Sequence, residues 1–425
     1  MSEEKKIKVL VISDHPMAPS GVGTQTRYVL ESLLRTGRYK FICLGGAVKH
    51  DDYAPQTLNS DEWDSGDLVV HPVDGYGNAE MIRSILWVEK PDMLWFMTDP
   101  RFYGWLWQIE NEIRPLLPMI YYHVWDNYPF PHFNKIWYDS TDVIASISKV
   151  TYDIVNNVSP DVENHYIPHA VISDIFRKLP ADDIAGARST NFREGSEEKV
   201  IFMWNNRNAR RKQSGTLALW FSEFAEEVGP ENVRLVMHTD PKDPHGQDLH
   251  AVLTDNGFTD GRVMLSTEKV PPEELSLMYN MADCTINISD AEGFGLATLE
   301  SLSCGTPIIV TMTGGLQEQV TDGEEWFGIG IEPASKAIIG SQDVPYIHED
   351  RISKEDFKAA LYKIYNMSKE EREELGRKGA EHVNKNYNFE DFNNRWVELM
   401  DDIHERYGSW DTRKGYKSWE MKEIA

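Results

Sequence analysis

A chain of 425 residues that is 41% hydrophobic and 11% aromatic folds around more than one core, since single domains run to roughly 100–200 residues, and that composition excludes a disordered, collagen-like or coiled-coil protein. The 43 Lys and Arg against 69 Asp and Glu leave a net charge of −26, which disfavours life on DNA or on an acidic membrane leaflet unless a local basic patch overrides it. Cys43, Cys284 and Cys304 lie scattered in apolar runs, which excludes a disulfide framework and fits reduced thiols in a cytosolic protein.

The charged start passes directly into Lys6 to Ser13, a β-branched run too short for a signal-peptide core or a membrane span. A cytoplasmic protein without integral membrane contact is expected. A turn-rich loop, Asp14 to Gly23, follows, and Thr24 to Leu34 then shows helical spacing. Further apolar runs at Phe41 to Leu44, Leu68 to Val70, Met93 to Met97, Met119 to His123 and Val143 to Ile147 predict strands with helices between them. Such alternation predicts an α/β fold with a parallel, doubly wound sheet.

Arg177 to Lys199 is poor in large apolar residues and reads as a linker. Beyond it the pattern restarts, with strands at Val200 to Trp204, Val233 to His238, Val263 to Leu265, Cys284 to Ile288 and Pro307 to Thr311. Helices are predicted at Gly215 to Val228, Pro272 to Met281 and Leu296 to Ser303. Ala334 to Ile352 has no clear period and is expected to be an irregular surface loop rather than a lid or partner contact. The amphipathic tail, Glu390 to Tyr407, is expected to pack back across the first half.

The segment Ser289 to Val320 carries the most chemistry. A strand ends at Ser289, and Gly293 and Gly295 let backbone approach a ligand closely. A helix then starts near Leu296 with free amides facing that loop, an arrangement that suits a diphosphate. Glu292 precedes the glycines and Glu300 follows inside the helix. At ~1.5 Å per helical residue the two carboxylates stand on the order of 10 Å apart, about the span from a sugar to a ribose across a diphosphate. Two separated acceptors of hydroxyl hydrogens suit a nucleotide sugar.

These residues resemble the retaining glycosyltransferases of family 4, which have the GT-B fold. Glu292 and Glu300 match the family's Glu-x7-Glu motif, Gly305 and Pro307 its Gly-x-Pro strand opening, and Gly314 and Gly315 its Gly-Gly turn. The resemblance implies that Glu292 contacts the donor sugar and Glu300 the ribose, while Gly293, Phe294, Gly295 and Leu296 hold the diphosphate. Arg207 and Lys212, five apart in Met203 to Gly215, match the pair that neutralises the leaving diphosphate. No acid occurs from Lys199 to Trp220, so Arg207, Arg210, Arg211 and Lys212 form a positive island. Trp204 and Asn205 depart from the family pattern, which has an apolar residue and Gly.

In the first half, Gly21 and Gly23 of Pro19 to Thr24 resemble the family's glycine loop beside the donor phosphates. His123, ending the strand Met119 to His123, matches a His near the reacting sugar, and Asp126 stands close to the position of a family Asp. The chain around His123 is dense in aromatics. Most belong in the core, but Trp105, Trp107, Trp125 and Tyr128 flank loops, where aromatic faces stack on sugars or bases. Trp125, Asp126 and Tyr128 are the candidate acceptor contacts. His169 and Ala170 replace the family's Asn and Gly before the linker, which suggests a structural role there.

No metal site is expected. The chain lacks the Asp-x-Asp triplet of metal-dependent transferases, a His-Glu-x-x-His, a Walker loop and a Cys-x-x-Cys, and His238, His245 and His250 fit a polar loop.

The resemblance thus predicts two Rossmann-like domains facing a cleft: residues 1–178 for the acceptor, 179–390 for the donor, and 391–425 as a helix crossing back. The implied activity moves a sugar from a nucleoside diphosphate to the hydroxyl of a glycan, lipid or small molecule, with retention, without a metal and with no cofactor beyond the donor. Three alternatives stand beside it: transfer to a hydroxymethylated base in phage DNA, a sugar-nucleotide epimerase or hydrolase, and an inactive nucleotide-sugar-binding module. The basic loop is closer to viral members of the group, in which case the setting is a host cytoplasm, and nucleic acid enters only as a modified-base acceptor. Charge divides as −8 over residues 1–178 and −18 over 179–425, so the donor pocket must be positive by local arrangement.

Overall fold

A computed structural model describes residues 5–49, 51–126, 128–192, 198–342 and 344–417. The strands of the first half are β1 (Ile7–Asp14), β2 (Tyr39–Gly46), β3 (Gln56–Thr57), β4 (Leu68–Pro72), β5 (Met93–Thr98), β6 (Met119–His123), β7 (Val143–Ser146) and β8 (Glu163–Tyr166). They form one sheet in the order β3-β4-β2-β1-β5-β6-β7-β8, parallel except for the edge strand β3. Continuous runs such as Val9 to Ile12 and Met93 to Met97 are solvent-free, as strands covered by helices on both faces must be.

The second half repeats the design with β9 (Val200–Asn205), β10 (Val233–His238), β11 (Val263–Ser266), β12 (Cys284–Asn287), β13 (Ile308–Thr311) and β14 (Gly328–Ile331). Their order is β11-β10-β9-β12-β13-β14, all parallel. Strand order reverses between β1 and β5 in the first sheet and between β9 and β12 in the second, and ligands of open α/β sheets bind at the carboxyl ends of strands flanking such points. The glycine loop follows β1, the basic loop follows β9, and the Glu292 loop follows β12, so the predicted phosphate-facing segments sit where topology opens crevices.

The tail helix Phe389–Tyr407 returns to the first half. Trp396, fully buried, meets Trp95 and Tyr122 edge-on at 5.9 and 4.8 Å, and Phe389 meets Tyr28 at 5.0 Å. One apolar cluster therefore joins both halves, running from Val9 and Trp95 through Phe176 and Phe294 to Trp396 and Ile403. The three thiols are buried and unbridged. Among the described residues no helix is long and apolar enough to cross a membrane.

Three expectations need correction. Within the expected linker, Ala181–Phe192 is a helix with no buried residue, tied down by Arg188, whose guanidinium pairs with Asp283 at 3.1 Å and donates to the Lys199 carbonyl at 2.7 Å. Such a helix shows no apolar period in sequence because it has no face to bury. The expected irregular loop at 334–352 contains a hairpin, β15 (Ser335–Ile339) against β16 (Ile347–Arg351). Trp125, a candidate acceptor contact, is buried in the core with Trp107, and Trp105 packs on the same cluster. Trp107 stacks on Trp137 at 5.4 Å, and Trp125 packs on Phe133 at 5.9 Å, so each ring already has an aromatic partner within the protein.

Candidate active site

After β9 the chain makes a tight turn, Arg210–Lys212, whose backbone is fixed by Arg210 N–H donating to the His245 carbonyl at 2.9 Å. After β12 the loop is held to that turn by Asp290 N–H donating to the Arg211 carbonyl at 2.8 Å. The two loops thereby meet at Glu292. Its carboxylate accepts from the Lys212 ammonium, with the Arg211 guanidinium at 3.7 Å and the Asn287 amide at 3.5 Å. Burial pushes the Glu292 carboxyl up, but the Lys212 and Arg211 charges win and hold it below the usual range. Burial also draws the Lys212 ammonium below the ordinary lysine value, against the pull of Glu292.

Gly295 adopts φ +95°, a left-handed conformation suited to glycine, and a side chain there would strike Leu316 at 2.6 Å. The helix Leu296–Ser303 starts immediately after, and its first intrahelical bond is from Leu299 N–H to the Gly295 carbonyl. The amides of Leu296 and Ala297 lie ahead of that bond at the positive helix end, a position that favours an anion. Four residues into this helix Glu300 accepts from Tyr279 Oη at 2.9 Å, and Tyr279 in turn accepts from the Asn205 amide at 2.8 Å. Burial pushes the Glu300 carboxyl up to about 7 despite the Tyr279 bond. Asn205, the departure from the family pattern, thus orients the phenol that holds Glu300.

The first half closes over these groups. A methyl group added at Gly21 would come within 3.2 Å of Leu296, so the two glycine loops touch across the cleft. Asp126 stands 3.5 Å from Arg211, and a methyl group at Gly293 would lie 3.1 Å from its carboxylate. Asp126, Arg211, Lys212, Glu292 and Gly293 form one polar cluster spanning both halves.

Other expected site residues lie elsewhere. Arg207 pairs with Asp243 at 2.6 Å and with His245 at 2.7 Å, and its side chain is exposed; Arg211 is the guanidinium beside Lys212 and Glu292. His123 is buried in the first core, bonded through Nε2 to Tyr138 Oη at 2.8 Å, and burial pulls its pKa down to about 3. Tyr128 donates to Asp153 at 2.7 Å and lines an open cleft of about 410 Å³ between the halves, shared with Lys149, Gly314 and Gln317. His169 bonds Tyr122 at 2.8 Å and packs edge-on against Phe294 at 5.0 Å, which supports the glycine loop from behind.

Two facing parallel sheets with the polar cluster at their switch points make this a GT-B fold. Sucrose-phosphate synthase from Thermosynechococcus elongatus superposes with a TM-score of 0.74 at 16% identity, over 94% of this chain and all of that one. Anabaena HepE in complex with UDP-glucose superposes with a TM-score of 0.65 at 12% identity, over 93% of this chain and all of that one. Residues 264–382 match the family model of glycosyl transferases group 1. D-inositol 3-phosphate glycosyltransferase of Acidothermus cellulolyticus is 39% identical over 90 residues, 21% of this chain and 20% of that protein. The GDP-mannose-dependent alpha-(1-6)-phosphatidylinositol monomannoside mannosyltransferase of Mycolicibacterium smegmatis is 26% identical over 194 residues, 44% of this chain and 48% of that protein. The chain therefore spans less than half the length of these two curated relatives.

Proposed function

We propose that the chain is a retaining, metal-independent glycosyltransferase that moves a sugar from a nucleoside diphosphate to an acceptor hydroxyl. The observation that carries this reading is the cluster of Arg211, Lys212 and Glu292 beneath the start of the helix Leu296–Ser303. The amides of Leu296 and Ala297 suit the diphosphate, and Glu300 suits the ribose hydroxyls. Glu292, an ionised acceptor, suits sugar hydroxyls, and the Asp126 side of the cleft leaves the acceptor to the first half.

As the bond from the anomeric carbon to the diphosphate breaks, negative charge grows on the leaving oxygen, and Arg211 and Lys212 lower the barrier by meeting it there. Two fixed cations and a helix end supply the charge that a divalent ion supplies in other transferases. The acceptor oxygen attacks the same face, and its proton passes to the departing phosphate oxygen, so atoms and charge balance without a carboxylate nucleophile. Asp126 is the acid of the cluster on the acceptor side, and it is paired with Arg211. The GDP-mannose dependence named for the Mycolicibacterium relative, and the UDP-glucose held by the Anabaena structural neighbour, agree with a nucleotide-sugar donor.

The test is a donor and acceptor screen in the presence of EDTA, followed by NMR of the product's anomeric proton. Retained configuration with EDTA present is expected, and an inverted linkage overturns the mechanism. Lys212→Ala and Glu292→Ala should each lower turnover by about 10²-fold or more, and near-normal rates would remove those assignments.

A further inference from the structure

The hairpin β15–β16 is anchored at both ends, and the ends belong to different halves. At its foot, Asp350 N–H donates to the Asp290 carbonyl and Thr313 Oγ1 donates to the Asp350 carboxylate, each at 2.8 Å. Beside them the Glu349 carboxylate, 1% exposed, accepts from both terminal nitrogens of Arg210 and from Arg351 at 3.0 Å. At its tip, Val344 is buried and Ile347 packed in the apolar cluster of the first half, whose other members, Trp410 of the tail apart, all come from residues 10–162. Tyr346 meets Phe133 edge-on at 5.4 Å, and Phe133 packs on Trp125, next to Asp126.

An isolated two-stranded hairpin is at best marginally stable in water, so these anchors decide where it sits. Arg210 is the first residue of the turn whose next two side chains reach Glu292. A planar guanidinium held bidentately by a buried carboxylate is fixed in direction as well as position.

We infer that Glu349 is a positioning residue for the basic turn 210–212, and that the hairpin ties the orientation of that turn to closure of the two halves. The inference rests on reading Arg211 and Lys212 as the groups that meet the diphosphate. When the halves separate, Val344, Tyr346 and Ile347 leave their seats, the foot loosens, and the cations lose their aim; closure and phosphate binding are thereby coupled.

The experiment compares Glu349→Gln, Arg210→Gln and Tyr346→Ala in the full chain by amide hydrogen exchange over residues 206–214, with kcat and donor KM measured separately. Exchange there should accelerate about tenfold in the two foot variants and about threefold in Tyr346→Ala, whose ring is partly exposed and lies at the far end of the hairpin. Donor KM should rise about tenfold in Glu349→Gln, more than kcat falls. Unchanged exchange in Glu349→Gln or in Tyr346→Ala overturns the inference, as does a lower melting temperature with unaltered donor KM. A wild-type protein that transfers no sugar would sink the functional reading instead, while the exchange measurement still decides the coupling.

Discussion

The Lys212 ammonium rests on the Glu292 carboxylate, both side chains buried, and so joins the turn after β9 to the glycine loop after β12. Removing one partner leaves the other charge buried with weaker company. Lys212→Met should cost about 3 kcal/mol of stability, whereas Lys212→Met with Glu292→Leu should cost less than the sum of the single changes. Denaturant midpoints of the four proteins check this, and additive losses would show that the pair does not act as a unit.

Glu300 gives a pH signature. Its carboxyl sits at about 7 in the folded chain against 4.5 for an ordinary glutamate. Between those values the unfolded state releases a proton that the folded state keeps, so this contribution is complete below pH 4.5 and is lost as pH rises through about 7. Glu300→Gln should melt with the wild type at pH 4.5 and on the order of 2 °C above it at pH 8. The same change should weaken donor binding about tenfold by calorimetry, because an amide nitrogen that only donates replaces one of the two carboxyl oxygens that accept from the ribose hydroxyls. A variant no more stable at pH 8 than the wild type would contradict the buried neutral state.

The buried histidines act in the opposite direction. Burial draws His123 and His169 down to about 3 from 6.5. As pH falls below 6.5 the unfolded chain takes up protons that the folded chain refuses, so stability present above that point declines toward pH 3. His123→Gln should make the melting temperature less steep between pH 6.5 and 4. The rate profile of the wild type should show no limb from His123 between pH 5 and 8, and a limb that disappears in the Gln variant would assign it a proton-transfer role.

Gly314 marks the seam between the halves. It has φ +47°, and a side chain there would run into the backbone carbonyls of Glu292 and Asp126. Gly314→Ala should cost about 2 kcal/mol or more, since both the conformation and the space oppose it, and should lower turnover by displacing Glu292. Midpoints by urea unfolding, read beside kcat, test both parts; a stable and active variant would show the seam to be looser than this.

Much of the layout was legible in sequence because parallel strands covered on both faces leave unbroken apolar runs. Met119 to His123 and Val233 to His238 match to the residue, and Pro272 to Met281 and Leu296 to Ser303 match as helices. The short edge strands β3 and β8 left no such trace: Gln56 and Thr57 are exposed, and Glu163 to Tyr166 are polar and only half-buried. The family resemblance paired Arg207 with Lys212, but Asp243, 36 residues further on, holds Arg207, and Arg211 of the same positive island takes the place beside Lys212.

The amino-acid sequence by itself determined the two α/β halves, the glycine loop with its carboxylates at 292 and 300, and an acid-free basic loop, because each depends on residues close together in the chain. Tertiary structure alone decided which cation meets Glu292, that His123 and Trp125 lie inside the core, and that Glu349, 139 residues from Arg210, holds the basic turn. Ion pairs and burial are properties of distance in space, and in this molecule those distances are set by two sheets brought face to face and tied by a hairpin and a tail helix.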